Sequence, residues 1–222
     1  KLHGGVPEAD IKQQNLEGLK NGLKNLDRHI DNLQGFGQQV IVTFNRFATD
    51  TDEEIALVAE HCREKGVGFA LNTVFAEGGK GGEELARLVI DTIEQHPSAP
   101  LKFTYEDSDS VRTKIEKVAK GIYRAGMVTY TTLAEKKMKQ IDELGISHYP
   151  ICIAKTQYSF SSDPKAYGDV KDFELKVRDV VINNGAEMIV VIMGEIMRMP
   201  GLPKEPQAKH IDLVNGLIEG LS

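Results

Sequence analysis

Apolar residues recur in steps of three and four from Leu16 through Leu19, Leu23, Leu26 and Ile30 to Leu33. That spacing lines one face of an α-helix. Asp10 is a candidate N-cap and Gly35 a candidate C′ residue, so the pattern predicts a helix from Asp10 to about Gln34. Gly18 and Gly22 lie inside it. Each costs roughly 1 kcal/mol relative to Ala, which points to another segment packed closely against this helix.

The pattern then shortens. Val40 to Thr43 is a run of apolar and β-branched residues, as in a strand covered on both faces. Asn45-Arg46-Phe47 follows as a polar corner, and Thr51 with Glu54 forms a capping-box signature. A helix over 52–65 would bury Ile55, Val58, Ala59 and Cys62 and stop at Gly66. A second strand is predicted from Val67 to Val74, ending on Phe75. After the glycine-rich run Gly78-Gly79-Lys80-Gly81-Gly82 comes a helix bearing Leu85, Leu88, Val89 and Ile93. A third strand is expected over Leu101–Tyr105, then a helix capped by Ser110. Such alternation reads as an α/β fold, a parallel sheet with flanking helices and right-handed crossovers.

From about residue 127 the rhythm changes. Met127–Tyr130 reads as a short strand, and Thr132 with Glu135 opens a helix to Leu144 that stops at Gly145. Three further strand-like runs follow: Ile151–Thr156, Phe173–Ile182 and Met188–Met193. The alternation of Phe173, Leu175 and Val177 with charged residues implies one wet face. Met197–Pro203 cannot be a helix interior and is expected to be a surface loop. The second part is thus a small α+β C-terminal domain. The division expected is 1–36, 37–126 and 127–222.

Composition narrows the function. The 222 residues are 41% hydrophobic and 27% charged, ordinary for a globular chain with a real core. A net charge of −6 and no basic run argue against nucleic acid or a membrane surface as partner. No apolar run approaches a membrane span and no signal-peptide pattern opens the chain, so a cytoplasmic location is expected. Cys62 and Cys152 then read as two reduced, buried thiols. The chain opens on Lys1-Leu2-His3-Gly4-Gly5 rather than Met, as a fragment would.

Candidate chemistry is sparse. Glycines before a helix can cradle phosphate, but Lys80 is followed by Gly81 where a P-loop needs Ser or Thr. The six histidines are scattered without metal-ligand spacing. What stands out is an aromatic after each of two strands, Phe47 and Phe75. Ligands of open parallel sheets bind beyond the carboxyl ends of the strands, so these rings could either plug the loop layer or sandwich a flat heterocycle.

Several motifs carry a family resemblance. They are His3-Gly4-Gly5-Val6-Pro7, Asn45-Arg46-Phe47 with Thr49-Asp50-Thr51-Asp52, Ala76-Glu77-Gly78-Gly79, Pro150 to Ser159, and Met199-Pro200-Gly201-Leu202-Pro203. In this order they resemble the C-terminal part of formate–tetrahydrofolate ligases. The resemblance implies a ligase of one-carbon metabolism and purine biosynthesis that uses ATP and Mg. Formate would be phosphorylated to formyl phosphate, which N10 of tetrahydrofolate attacks to give 10-formyltetrahydrofolate. It further implies a pterin held between Phe47 and Phe75 beside Leu71, at the Asn45-Arg46 corner. The family usually has Trp where this chain has Phe75 and Pro where it has Ala48. The P-loop, the formyl-phosphate site and the catalytic residues would lie in an N-terminal domain upstream, which binds ATP and Mg and against which the first helix packs. No catalytic residue is assigned within 1–222. The isolated segment would be inactive, and the full-length protein a homo-oligomer. The other reading is a stand-alone small-ligand or protein-interaction domain that has lost the chemistry.

Overall fold

The computed structural model describes residues 1–97, 99–194 and 204–220. Helix α1 spans Leu16–Gly35, shorter at its start than the sequence suggests. Asn15, not Asp10, is the N-cap, with its Oδ1 accepting from the Gly18 N–H at 2.8 Å. Glu8–Asp10 forms a separate 3-10 turn. The apolar stripe begins only at Leu16, and residues 12–14 are Lys-Gln-Gln, exposed and with no apolar face to bury. At the other end Gly35 stays helical and Gly37 takes the positive φ of 79°.

The interior glycines of α1 are explained within this chain. Residues 3–6 lie against the helix at contact distance. A Cβ on Gly4 would sit 1.7 Å from the Gly18 carbonyl oxygen, and one on Gly18 would sit 2.2 Å from Val6 Cγ2. The middle of the apolar stripe is covered within this chain, while Leu16 and Leu33 near its ends stay exposed. Leu23 and Ile30 form a core with Val58, Cys62 and Val67, flanked by Val40, Val42, Phe44 and Phe69.

Strands β1 (Ile41–Asn45) and β2 (Gly68–Asn72) pair in parallel, Ile41 opposite Gly68 and Asn45 opposite Asn72. Helix α2 (Asp52–Glu64) connects them, and its predicted capping box between Thr51 and Glu54 is present. After β2 come a single helical turn, α3 (Val74–Glu77), a 3-10 turn over the glycines, and α4 (Glu83–Gln95). The expected strand over Leu101–Tyr105 does not form. Beyond Pro100 the segment makes one backbone bond to its neighbour, Lys102 N–H to Phe36 O at 3.0 Å, and leaves Leu101 and Phe103 facing solvent. Among the described residues the first sheet therefore has two strands.

Helix α5 (Val111–Gly121) leads to β3 (Met127–Tyr130), α6 (Thr132–Glu143) and β4 (Ile151–Ala154). The cap of α6 is Thr131, one residue before the expected Thr132. The run 173–182 is two strands, β5 (Glu174–Val177) and β6 (Asp179–Asn183), divided at Arg178. The Arg178 N–H donates to Ile192 O at 2.8 Å, while its carbonyl accepts from Thr131 Oγ1 at 2.7 Å. These two bonds hold the chain as it crosses from one sheet to the next. β5 pairs in parallel with β3, and β7 (Met188–Ile192) pairs in parallel with β4 and antiparallel with β6. Leu175 and Val177 are buried and Glu174 and Lys176 exposed, the one wet face that the alternation requires. Ile115, Ala119, Met138, Ile141, Ile189, Val191 and Met193 complete this second core. A small hairpin, β8 (Asp212–Val214) with β9 (Leu217–Glu219), ends the described chain. The segment 197–203, expected as a surface loop, lies outside the described residues.

The mixed α/β architecture with parallel sheets and flanking helices is as the alternation of elements implies. Because Gly4 meets backbone rather than a flexible side chain, Gly4→Ala must part residues 3–6 from α1. Overpacking of this kind costs about 1–3 kcal/mol. Urea unfolding should show that loss, whereas Gly79→Ala, with open space at its Cβ, should lie within about 1 kcal/mol of wild type.

Candidate functional site

The parallel register sets the site. The Arg46 N–H donates to Asn72 O at 3.0 Å, extending the β1–β2 ladder by one bond. Asn72 Nδ2 donates to Asn45 Oδ1 at 2.9 Å, and Asn72 Oδ1 accepts from the Val74 N–H at 3.0 Å. Both strand ends are thus stitched together before the chains diverge. The turn after β1 closes on Asp50: its carboxylate accepts from the Phe47 N–H at 2.8 Å, and its own N–H donates to Phe47 O at 3.0 Å. Asp and Asn build such turns because a short side chain reaches the nearby backbone. Arg46 pairs with Asp52 at 2.8 Å across the same turn, an exposed ion pair worth at most about 1 kcal/mol.

Behind this turn Glu54 is buried, accepting from Lys1 Nζ at 2.9 Å and the Asn15 N–H at 2.9 Å. Burial alone would raise its pKa, but the bonds from Asn15, Lys1 and Thr51 together hold it below the usual carboxylate value. The capping box that starts α2 thus also ties α1 to the floor of the turn.

The second wall follows β2. Phe75 does not end the strand, as expected, but lies on the single turn α3. Thr73 Oγ1 donates to Glu77 Oε2 at 2.5 Å, and the Thr73 N–H donates to Gly81 O at 3.1 Å. A Cβ on Gly81 would lie 2.5 Å from the Thr73 backbone, so this glycine serves close approach. Between the walls lies a cavity of about 540 Å³ lined by Arg46, Phe47, Ala48, Thr73, Phe75, Ala76 and Glu77. Phe47 and Phe75 are 67% and 63% exposed, and among the described residues neither ring has a ring–ring partner. Arg46, Phe47 and Phe75 are therefore brought together. Asn45 and Leu71 are not among the lining residues; Asn45 is occupied with Asn72, and Leu71 lies opposite Phe44 in the ladder. Thr73 and Glu77 were not singled out as site residues, although Glu77 falls in the Ala76-Glu77-Gly78-Gly79 motif.

A second cavity, of about 280 Å³, sits past the carboxyl end of β4 and includes His3, His29, Tyr123, Lys155, Gln157 and Tyr158 in its lining. The Lys155 ammonium is buried and donates to the carbonyls of Thr156, Ser159 and Ser161. Desolvation lowers its pKa to about 8. Burial also lowers the pKa values of His3 and His29. Nothing in the hydrophobic pattern marks these residues, because Lys155 is set by carbonyls that only the folded loop presents.

Cys62 is buried, but Cys152 is exposed, contrary to expectation, because the β4 face that carries it is open to solvent. Among the described residues no group of three or more His, Cys, Asp or Glu is placed to hold a metal ion. Nor, among them, is any helix long and apolar enough to cross a membrane.

The family model for formate–tetrahydrofolate ligase matches residues 1–222. The chain belongs to that family. A formate–tetrahydrofolate ligase of Parabacteroides distasonis is 78% identical over all 222 residues, one of Bacteroides fragilis 65%, and one of Campylobacter concisus 49% over 224 aligned positions. The chain spans 40% of the length of each of these relatives. The motifs quoted from the sequence thus point to the right family. Two of them, His3-Gly4-Gly5 and Lys155-Thr156, converge with α1 around the second cavity.

Lys155 gives a testable pH dependence. With its pKa lowered from 10.5 to about 8, the unfolded chain holds more protons than the folded one between those values. Its contribution to stability therefore rises with pH across that interval. Denaturant midpoints taken from pH 8 to 10 should show this rise in the wild type relative to Lys155→Met, which lacks the titrating group.

Proposed function

We propose that this chain is the tetrahydrofolate-binding portion of a formate–tetrahydrofolate ligase, with the pterin held between Phe47 and Phe75. The observation that supports this most is the pair of exposed phenyl rings in the lining of one cavity, in a chain of this family. Exposed aromatics on a loop and a single helical turn bury little by themselves, but they gain contact area when a flat ring enters between them. Each stacking contact is worth roughly 1–3 kcal/mol by analogy with bases on aromatic side chains. Ala48 leaves the rim beside Phe47 open.

In this reading the residues of the chain bind and orient, and the phosphoryl chemistry belongs to the rest of the protein. ATP transfers its γ-phosphoryl group to formate, giving formyl phosphate and ADP. N10 of tetrahydrofolate then attacks the formyl carbon, phosphate leaves, and N10 loses its proton. Arg46 lines the rim, where its exposed pairing with Asp52 holds the guanidinium across the turn. Asn45 and Leu71 act one layer below, holding the two strand ends in register. ATP and Mg are placed on the remaining part of the protein, as is a packing surface for this segment in an oligomer.

Joining this chain to the rest of the Parabacteroides distasonis relative tests the assignment. The hybrid should form 10-formyltetrahydrofolate with ATP consumed only in the presence of formate. A folded hybrid without product would overturn it. In that hybrid Phe75→Ala should weaken tetrahydrofolate about ten- to a hundred-fold with the ATP dependence nearly unchanged.

A further inference from the structure

We infer that Glu77 is the acceptor that reads the donor edge of the pterin, with Thr73 as its positioning residue; this rests on the folate reading above. A 2-amino-4-oxopterin presents two adjacent donors along one edge, the ring N3–H and the 2-amino group. A carboxylate offers two acceptor oxygens side by side, the geometry that pairs with two parallel donors. Among the described residues, Glu77 is the one carboxylate in the lining of the cavity. The other polar side chains there, Arg46 and Thr73, offer no second acceptor oxygen beside the first. Arg46 has donors only and cannot pair with another donor, and Thr73 carries a lone hydroxyl that donates to Glu77 Oε2.

Placement supports the same role. Glu77 lies on the turn that carries Phe75, and its N–H donates to Thr73 O at 2.9 Å. Thr73 is itself fixed by the bond to Gly81 O and by the close approach of Gly81 to its backbone. The hydroxyl of Thr73 occupies one acceptor position of the carboxylate and restrains its rotation, while the remaining positions stay available on the exposed side chain. A heterocycle lying between the rings meets this carboxylate at its edge. Affinity then comes from stacking, and the choice of a 2-aminopterin over other flat rings comes from Glu77.

The test measures binding of tetrahydrofolate and of its 2-desamino analogue by calorimetry, to the 222-residue chain and to the hybrid enzyme. Glu77→Gln keeps the size and the bond from Thr73 but sets an amide N–H₂ against a pterin donor. It should weaken tetrahydrofolate about ten- to a hundred-fold, the range for a hydrogen bond to a charged group. The analogue should lose distinctly less. Thr73→Val should reduce the preference for tetrahydrofolate over the analogue, and Thr73→Ser should restore it. Equal losses for both ligands, or no loss with Glu77→Gln while Phe75→Ala weakens binding, would overturn the inference and leave the folate reading standing. Tetrahydrofolate binding by neither protein, or binding indifferent to Phe75→Ala, would remove the folate reading and this inference with it.

Discussion

The parallel pairing of two five-residue strands, Ile41–Asn45 and Gly68–Asn72, is the constraint on which the rest of the site depends. In a parallel pair both carboxyl ends emerge on the same side, so the segments that follow must turn away in the same region. The Asn45–Asn72 bond and the Arg46–Asn72 bond fix where that divergence starts. A shift of register by one residue would exchange the faces of the strands and carry the two turns out of line. Phe47 and Phe75 share a cavity because this register does not slip.

Holding that pair in place takes more than two strands, because so small a sheet is marginal alone. Helix α1 supplies the missing cover. Its Leu23 and Ile30 lie on the β1–β2 layer, and its glycine face receives residues 3–6. On a third side Arg28 is buried, pairing with Asp169, donating to Tyr123 O at 3.2 Å and stacking 4.4 Å from the Phe160 ring centre. Asn32 adds a bond to Ile122 O at 3.1 Å. A buried guanidinium left without these partners would be costly, so the contacts of Arg28 bind the two cores to one another. Within this chain α1 is the joint between them.

Local signals were legible wherever a side chain acts on its own neighbourhood. The capping box of Thr51 and Glu54 and the cap of Ser110 depend on residues three apart, and both are present. The buried run at β1 and the alternation at β5 also depend on a few adjacent positions. Caps sit where the helix face begins rather than at the first suitable residue: Asn15 before Leu16 instead of Asp10, and Thr131 instead of its neighbour Thr132. The run 101–105 has strand composition but no ladder partner, so its apolar residues remain exposed. The break at Arg178 is set by bonds to Thr131 and Ile192, neither of which is near in sequence.

For the site the division is similar. The sequence alone determined the family, the strand–helix alternation of the first part, and the presence of an aromatic after each of two strands, because motifs and periodicity are properties of neighbouring residues. It could not show that Glu77 stands with those aromatics, since its link to Thr73 exists only once the chain turns at α3. Nor could it show that the two glycines of α1 are occupied by residues 3–6. Contact across a turn or between distant segments is a product of packing. Only the tertiary structure decided which polar groups were already used and which faced the cavity.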